Sequence, residues 1–209
     1  MTLQNRVTPF GQLKAINARG LFLGNRGKLH NDEKRIIKQW DSNRWITCSI
    51  EYQGIRREIF SEGSYSELFF LDEATALSAG HRPCGDCRRE RLKEFKLRWQ
   101  QANSEDGDTN GIKVELIDTQ MHAERTKRDG TKVTYQTKLG ELPDGVFISI
   151  DGIALLKWNN KLFEWSASGY IERFETFPDE LVVDVLTPRS VVGVIRAGYI
   201  PQVHQSATG

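Results

Sequence analysis

The sequence predicts an α+β fold, and three observations carry the prediction. Strand-like runs come in pairs joined by tight-turn dipeptides such as Asp151-Gly152 and Asn159-Asn160. Runs with apolar residues three and four apart mark helices before and after those strands. The strands and helices do not alternate in β-α-β order, so a parallel doubly wound sheet is excluded.

The elements follow in chain order. Residues 1–27 read as loop with one strand, 13–18, and the glycines at 20, 24 and 27 mark residues 21–28 as turns. Residues 32–40 read as a short helix with Ile36, Ile37 and Trp40 as its stripe. Alternation over residues 44–52 predicts a strand, and Gln53-Gly54 turns it into a hairpin with residues 55–60. A third strand spans residues 68–71. Asp72 is a good N-cap for the helix that follows, and Gly80 a good stop. The next helix starts near Pro83 or Cys84 and carries Leu92, Phe95, Trp99 and Ala102 on one face.

Residues 103–111 are the best linker, a run of Ser, Glu, Asp, Gly, Thr and Asn. It divides the chain into a first half, residues 1–103, and a second, 111–209, which pack as one compact unit. The second half opens with a helix over residues 112–127, bearing Val114, Ile117 and Met121, and residues 131–145 look irregular. An antiparallel meander then uses residues 146–151, 153–158, 162–165, 170–175 and 181–186. Thr187-Pro188 opens a last helix, with Thr as cap and Pro at its first turn.

The chain has 209 residues, 38% of them hydrophobic, enough for one core or two small ones. No apolar run approaches the length of a membrane span. The first residues lack the apolar stretch of a secretion signal, which with three cysteines points to a cytoplasmic protein without a disulfide framework. Lys and Arg number 29 and Asp and Glu 28, so a wholly basic polyanion binder is excluded. That balance hides a division: residues 1–100 hold 18 basic and 12 acidic groups, residues 101–209 hold 11 and 16. All three cysteines lie in the basic half.

The most specific motif is His81-Arg82-Pro83-Cys84-Gly85-Asp86-Cys87. Two cysteines at C-x2-C spacing at a helix start let both sulfurs face one ion, and backbone N–H groups at the helix N-terminus stabilise the thiolates. Zinc is the expected cofactor. Tetrahedral zinc needs two more ligands. Cys48 is the obvious third, unless it is simply a buried strand residue. For the fourth, His81, His30 and a carboxylate such as Asp86 stand as alternatives.

The run from Asp72 to Arg88, with Leu68-Phe69-Phe70-Leu71 before it, resembles the zinc-binding module of the Ada alkylation-response family. That module shows an aromatic strand, a short helix ending in Ala-Gly, and Arg-Pro-Cys-x-x-Cys followed by basic residues. The likeness spans about residues 44–90. It implies a zinc knuckle built of a β-hairpin and helices that contacts DNA, and in Ada one zinc-bound thiolate accepts a methyl group from a phosphotriester. Two positions depart from the pattern. Tyr52 stands four places after Cys48, where the family has a second cysteine, and His81 replaces an aromatic, as a substitute ligand or as a packing ring.

After the knuckle come Arg88, Arg89, Arg91, Lys93, Lys96 and Arg98. With Arg82 they form a basic collar, and Arg82, Arg88, Arg89, Lys93 and Lys96 are the expected phosphate contacts. Arg6, Arg19, Arg26 and Lys28 extend it. Glu90 and Glu94 fit the alternative of a solvated surface helix. In the second half, His122-Ala123-Glu124 has the His-x-Glu spacing of zinc deaminases but follows the cysteine pair instead of preceding it. His122, Glu124 and Asp151 are the candidate catalytic residues. Trp158, Trp165 and Tyr170 either stack on bases or form the core of a small sheet.

Three functions are therefore expected. The first is a zinc protein contacting nucleic acid, DNA before RNA. The second is an enzyme acting on modified or damaged nucleic acid. The third is a non-catalytic interaction module. None involves a membrane.

Overall fold

The computed structural model describes residues 2–54, 58–103, 111–173 and 177–207. Among them are four α-helices and two six-stranded sheets, mostly antiparallel. No helix among the described residues is long and apolar enough to cross a membrane.

The first sheet has the order β2-β1-β5-β3-β4-β6, from β1 (Arg6–Val7), β2 (Leu13–Lys14), β3 (Phe22–Asn25), β4 (Ile46–Ser49), β5 (Leu68–Phe70) and β6 (Arg82–Pro83). The glycine-rich stretch expected to turn is its strand β3. Gly24 there is a packing residue: a Cβ would meet Cε2 of Phe70 at 2.3 Å. The strand expected from residues 44–52 is β4, but its partners are β3 and β6, not a hairpin with residues 55–60. Residues 58–60 are not strand, and 55–57 lie outside the described residues. Residues 32–40 are no helix. His30 and Ile36 pair across a tight turn in which Lys34 takes a φ of 59°.

Helix α1 (Glu73–Ser78) is capped as expected, the Asp72 carboxylate accepting the Thr75 N–H at 2.8 Å. Gly80 follows at a φ of 85°, where a Cβ would lie 2.4 Å from the Arg125 side chain. Arg82–Pro83 is an edge strand, which proline tolerates, so helix α2 (Arg89–Asn103) begins after the cysteine pair and not at it.

Helix α3 (Val114–Arg125) is followed by β7 (Tyr135–Lys138), a strand in the stretch expected to be irregular. Its polar Gln136 and Lys138 suit an edge strand paired on one side only. The meander follows with β8 (Phe147–Ile150), β9 (Ile153–Trp158), β10 (Lys161–Ser166), β11 (Gly169–Arg173) and β12 (Val182–Val185), in the order β11-β10-β9-β8-β12-β7. Helix α4 (Arg189–Arg196) closes it. Thr187 is not its cap: the hydroxyl accepts the Phe147 N–H, and Glu124 of α3 accepts the Ser190 N–H in its place.

The largest core draws on both halves of the chain. Leu77, Phe95 and Trp99 pack with Ile117, Met121, Val146, Ile148, Val185, Val191, Val194, Ile195 and Tyr199. A second core holds Leu71 and Ala74 with Phe147, Leu156, Phe163 and Tyr170. Trp158 and Trp165 pack against it, half-buried, so they serve the sheet.

Candidate metal centre

Cys48, Cys84 and Cys87 come together through strand register. β6 runs parallel beside β4 with Thr47 opposite Pro83, and the Cys84 N–H donates to the Thr47 carbonyl at 2.9 Å. One step further lie Cys48, in β4, and Cys84, just past the end of β6. The turn after Cys84 brings Cys87 back, and the three sulfurs all lie within 4.8 Å of one another. None is in a disulfide.

Backbone donors already point at two of the sulfurs. The Asp86 N–H donates to Cys84 Sγ and the Ser49 N–H to Cys87 Sγ, both at 3.4 Å. The hydrogen bond from Cys48, aided by the Asp86 N–H, draws the Cys84 thiol down to about 5. The same contact pushes Cys48 far above its ordinary value, with burial adding to it. Burial raises Cys87. Cys84 is thus the sulfur most inclined to the thiolate form, and metal binding to the cluster would release protons. A set of soft sulfurs suits thiophilic ions and disfavours magnesium or calcium.

No histidine or carboxylate among the described residues joins the three sulfurs. His81 is fully buried in another environment. Its Nε2 accepts from Arg26 Nε at 3.1 Å, and its ring packs on Phe70 and Trp45. Burial and the Arg26 and Arg125 charges hold it well below its ordinary value, as a neutral packing ring and hydrogen-bond acceptor. His30 stacks on Phe60 and bonds the Ser66 hydroxyl through Nδ1. Asp86 is exposed and contributes only its N–H.

Beside the cysteines lies a cleft of about 720 Å³ lined by Arg44, Ile46, Arg82, Cys84, Leu92, Glu115 and Asp118, among others. Arg82 is not free to meet a ligand there. It forks onto Asp118, and only 3% of it is exposed. Arg88 is likewise withdrawn, 5% exposed, donating to Glu73 and Gln202 and lying over the Phe22 ring. Of the expected phosphate contacts, Arg89 and Lys93 are exposed and Lys96 is half-exposed, with Lys93 paired to Glu90. The basic collar is therefore smaller than the sequence suggests. A buried arginine and a surface arginine read alike in one dimension.

The candidate catalytic trio is dispersed. Glu124 caps α4 through Ser190, His122 sets its ring edge against Trp40 beside Arg125, and Asp151 is exposed in the β8–β9 turn at a φ of 50°. None of the three lines the cleft beside the cysteines. The sequence reading missed Ser49, whose N–H serves Cys87, and Glu73, which takes Arg88, Arg91, Tyr199 and Gln202 onto one buried carboxylate. Glu73 sits at the first turn of an expected helix, and no local pattern names its distant partners.

Comparison with protein-family models, with curated proteins and with solved structures finds no match for this chain.

Proposed function

We propose that the chain is a zinc-binding protein that contacts nucleic acid, DNA before RNA, with its three-cysteine centre in an Ada-like module. The observation that carries the reading is the convergence of Cys48, Cys84 and Cys87 from two parallel strands and one turn, with N–H donors already aimed at their sulfurs. The resemblance over residues 44–90 supplies the likeness to a DNA-contacting unit. Arg89, Lys93 and Lys96 on α2 supply the surface charge that phosphates require. The test pairs metal analysis with electrophoretic retention of DNA and RNA at two salt concentrations. The reading expects bound zinc and retention that weakens with salt. Absence of retention at low salt would remove the nucleic-acid part, and a metal-free, fully stable protein would remove the whole.

A second reading has one observation in its favour. Three sulfurs leave one of zinc's four positions to a ligand from outside this set, and the cleft along Cys84 offers room for it. That suits an enzyme acting on modified or damaged nucleic acid. Turnover of such a substrate by zinc-loaded but not chelator-treated protein would favour it. Its failure, with metal and retention intact, leaves the non-catalytic module.

A further inference from the structure

A second site lies apart from the cysteines, where the end of β3, the approach to β4, the end of α3 and the turn after it meet. Arg26 and Arg125 are buried there, 1% and 2% exposed. Their guanidinium carbons lie 3.8 and 4.1 Å from the Trp45 ring centroid. The Lys132 ammonium reaches the same spot and donates to the Ser78 carbonyl.

Among the described residues these three cations form no ion pair. Arg26 spends its Nε on His81, and its Nη2 is buried with no partner. Arg125 donates to the Gly80 and Asn43 carbonyls, and its Nε is unpartnered. Among the described residues Asp118 is the one acid that acts on Arg125, and it is already forked onto Arg82. Burial, with the Arg82 charge adding to it, lowers Arg125 to about 9, and burial with the Arg26 and Arg125 charges lowers Lys132 to about 7. Three cations gathered with one acid nearby, itself already paired, are costly in a low-dielectric site. The groups line a cavity of about 10 Å³, the room of one water, with Gln39, Trp40 and Gly130 at its rim.

We propose that Arg26, Arg125 and Lys132 form a binding site for a phosphate group. Orphaned guanidinium N–H groups and an ammonium are the donors that phosphate oxygens accept from best. Two arginines and a lysine, offset in part by Asp118, match a phosphate dianion better than a single carboxylate. The cavity is too small for a whole phosphate, so binding requires Gln39, Trp40 and Gly130 at its exposed side to move outward. The phosphate is either free or the end of a nucleic-acid strand. The site depends on neither the metal nor α2, so it stands or falls apart from the proposed function.

The test follows tryptophan fluorescence and thermal unfolding of the full chain during titration with three probes. These are inorganic phosphate, a short 5′-phosphorylated oligonucleotide and its 5′-hydroxyl twin, all at fixed ionic strength set with chloride. Saturable stabilisation by phosphate, or by the phosphorylated strand beyond its twin, is expected, and which of the two binds tighter names the source. Lys132→Met, at the most accessible of the three positions, should weaken half-saturation roughly tenfold, and Arg26→Met should do the same if it folds. No saturation by either phosphate probe, or equal response in Lys132→Met, overturns the site.

Discussion

Arg82 and Asp118 meet in a two-pronged contact, Nε to Oδ1 and Nη2 to Oδ2, each at 2.8 Å, with both side chains about 5% exposed or less. The fork ties β6, which leads into the cysteine turn, to α3 of the second half. It also makes Arg82 a structural residue and removes it from any phosphate surface.

Breaking that fork on one side leaves a buried charge without a partner. Asp118→Ala should lower unfolding stability by about 3–5 kcal/mol. Replacing both residues, as in Arg82→Met with Asp118→Leu, should recover most of the loss. Urea unfolding of the two variants measures the difference.

The cations on α2 and just before it separate into two kinds. Replacing Arg89, Lys93 and Lys96 together with alanine should weaken nucleic-acid retention and flatten its salt dependence, with melting nearly unchanged. Arg88→Ala should instead lower the melting temperature, because it strips the buried Glu73 carboxylate of a charged partner. Retention assays and thermal melts on the same preparations distinguish the two.

For the cysteines, purified protein should carry about one zinc per chain. Cys48→Ser, Cys84→Ser and Cys87→Ser should each abolish it, and chelation should lower the melting temperature of the wild type alone. Metal analysis beside thermal melts reads both effects.

Glu124 gives a clean contrast between a structural and a catalytic carboxylate. It accepts the Ser190 N–H at 2.8 Å and the Ser190 hydroxyl at 2.7 Å, capping α4 from another helix. Glu124→Ala should cost about 1–2 kcal/mol of stability and leave metal content unchanged.

Lys132 makes stability depend on pH. Its folded value of about 7 lies below the ordinary 10.5, through burial and the Arg26 and Arg125 charges. Between those values the unfolded chain holds a proton that the folded one lacks, so stability rises with pH across that window. Below about 7 both states are protonated, so the slope vanishes and the cost of burying the charge stands in full. Urea midpoints near pH 6 and near pH 9.5 should show the rise, and Lys132→Met should remove its share.

Local signals suffice where they decide local structure. The Asp72 cap, the Asp151-Gly152 turn and the Phe95–Trp99 spacing all appear in the structure as the sequence indicates. The C-x2-C pair was equally plain, because its geometry is set within four residues. What escaped was settled by distant partners. Gly24 reads as a turn residue until Phe70 is seen to need its space. Arg26 reads as surface charge until Trp45 covers it, and His81, open in the sequence between ligand and packing ring, is the packing ring once Arg26 takes its nitrogen. Which face of α2 points outward was legible, but not that Arg88 and Arg91 would turn back onto Glu73.

The shared core has a consequence for how such a chain could change over time. Phe95 and Trp99 belong to the half that bears the cysteines, yet they are buried against α4 and the β-meander. Severing the chain between α2 and α3 would leave both aromatic rings bare on one fragment. The cysteine half is thus no cassette to be moved intact into a new host protein; wherever it travels, its acidic companion must travel with it.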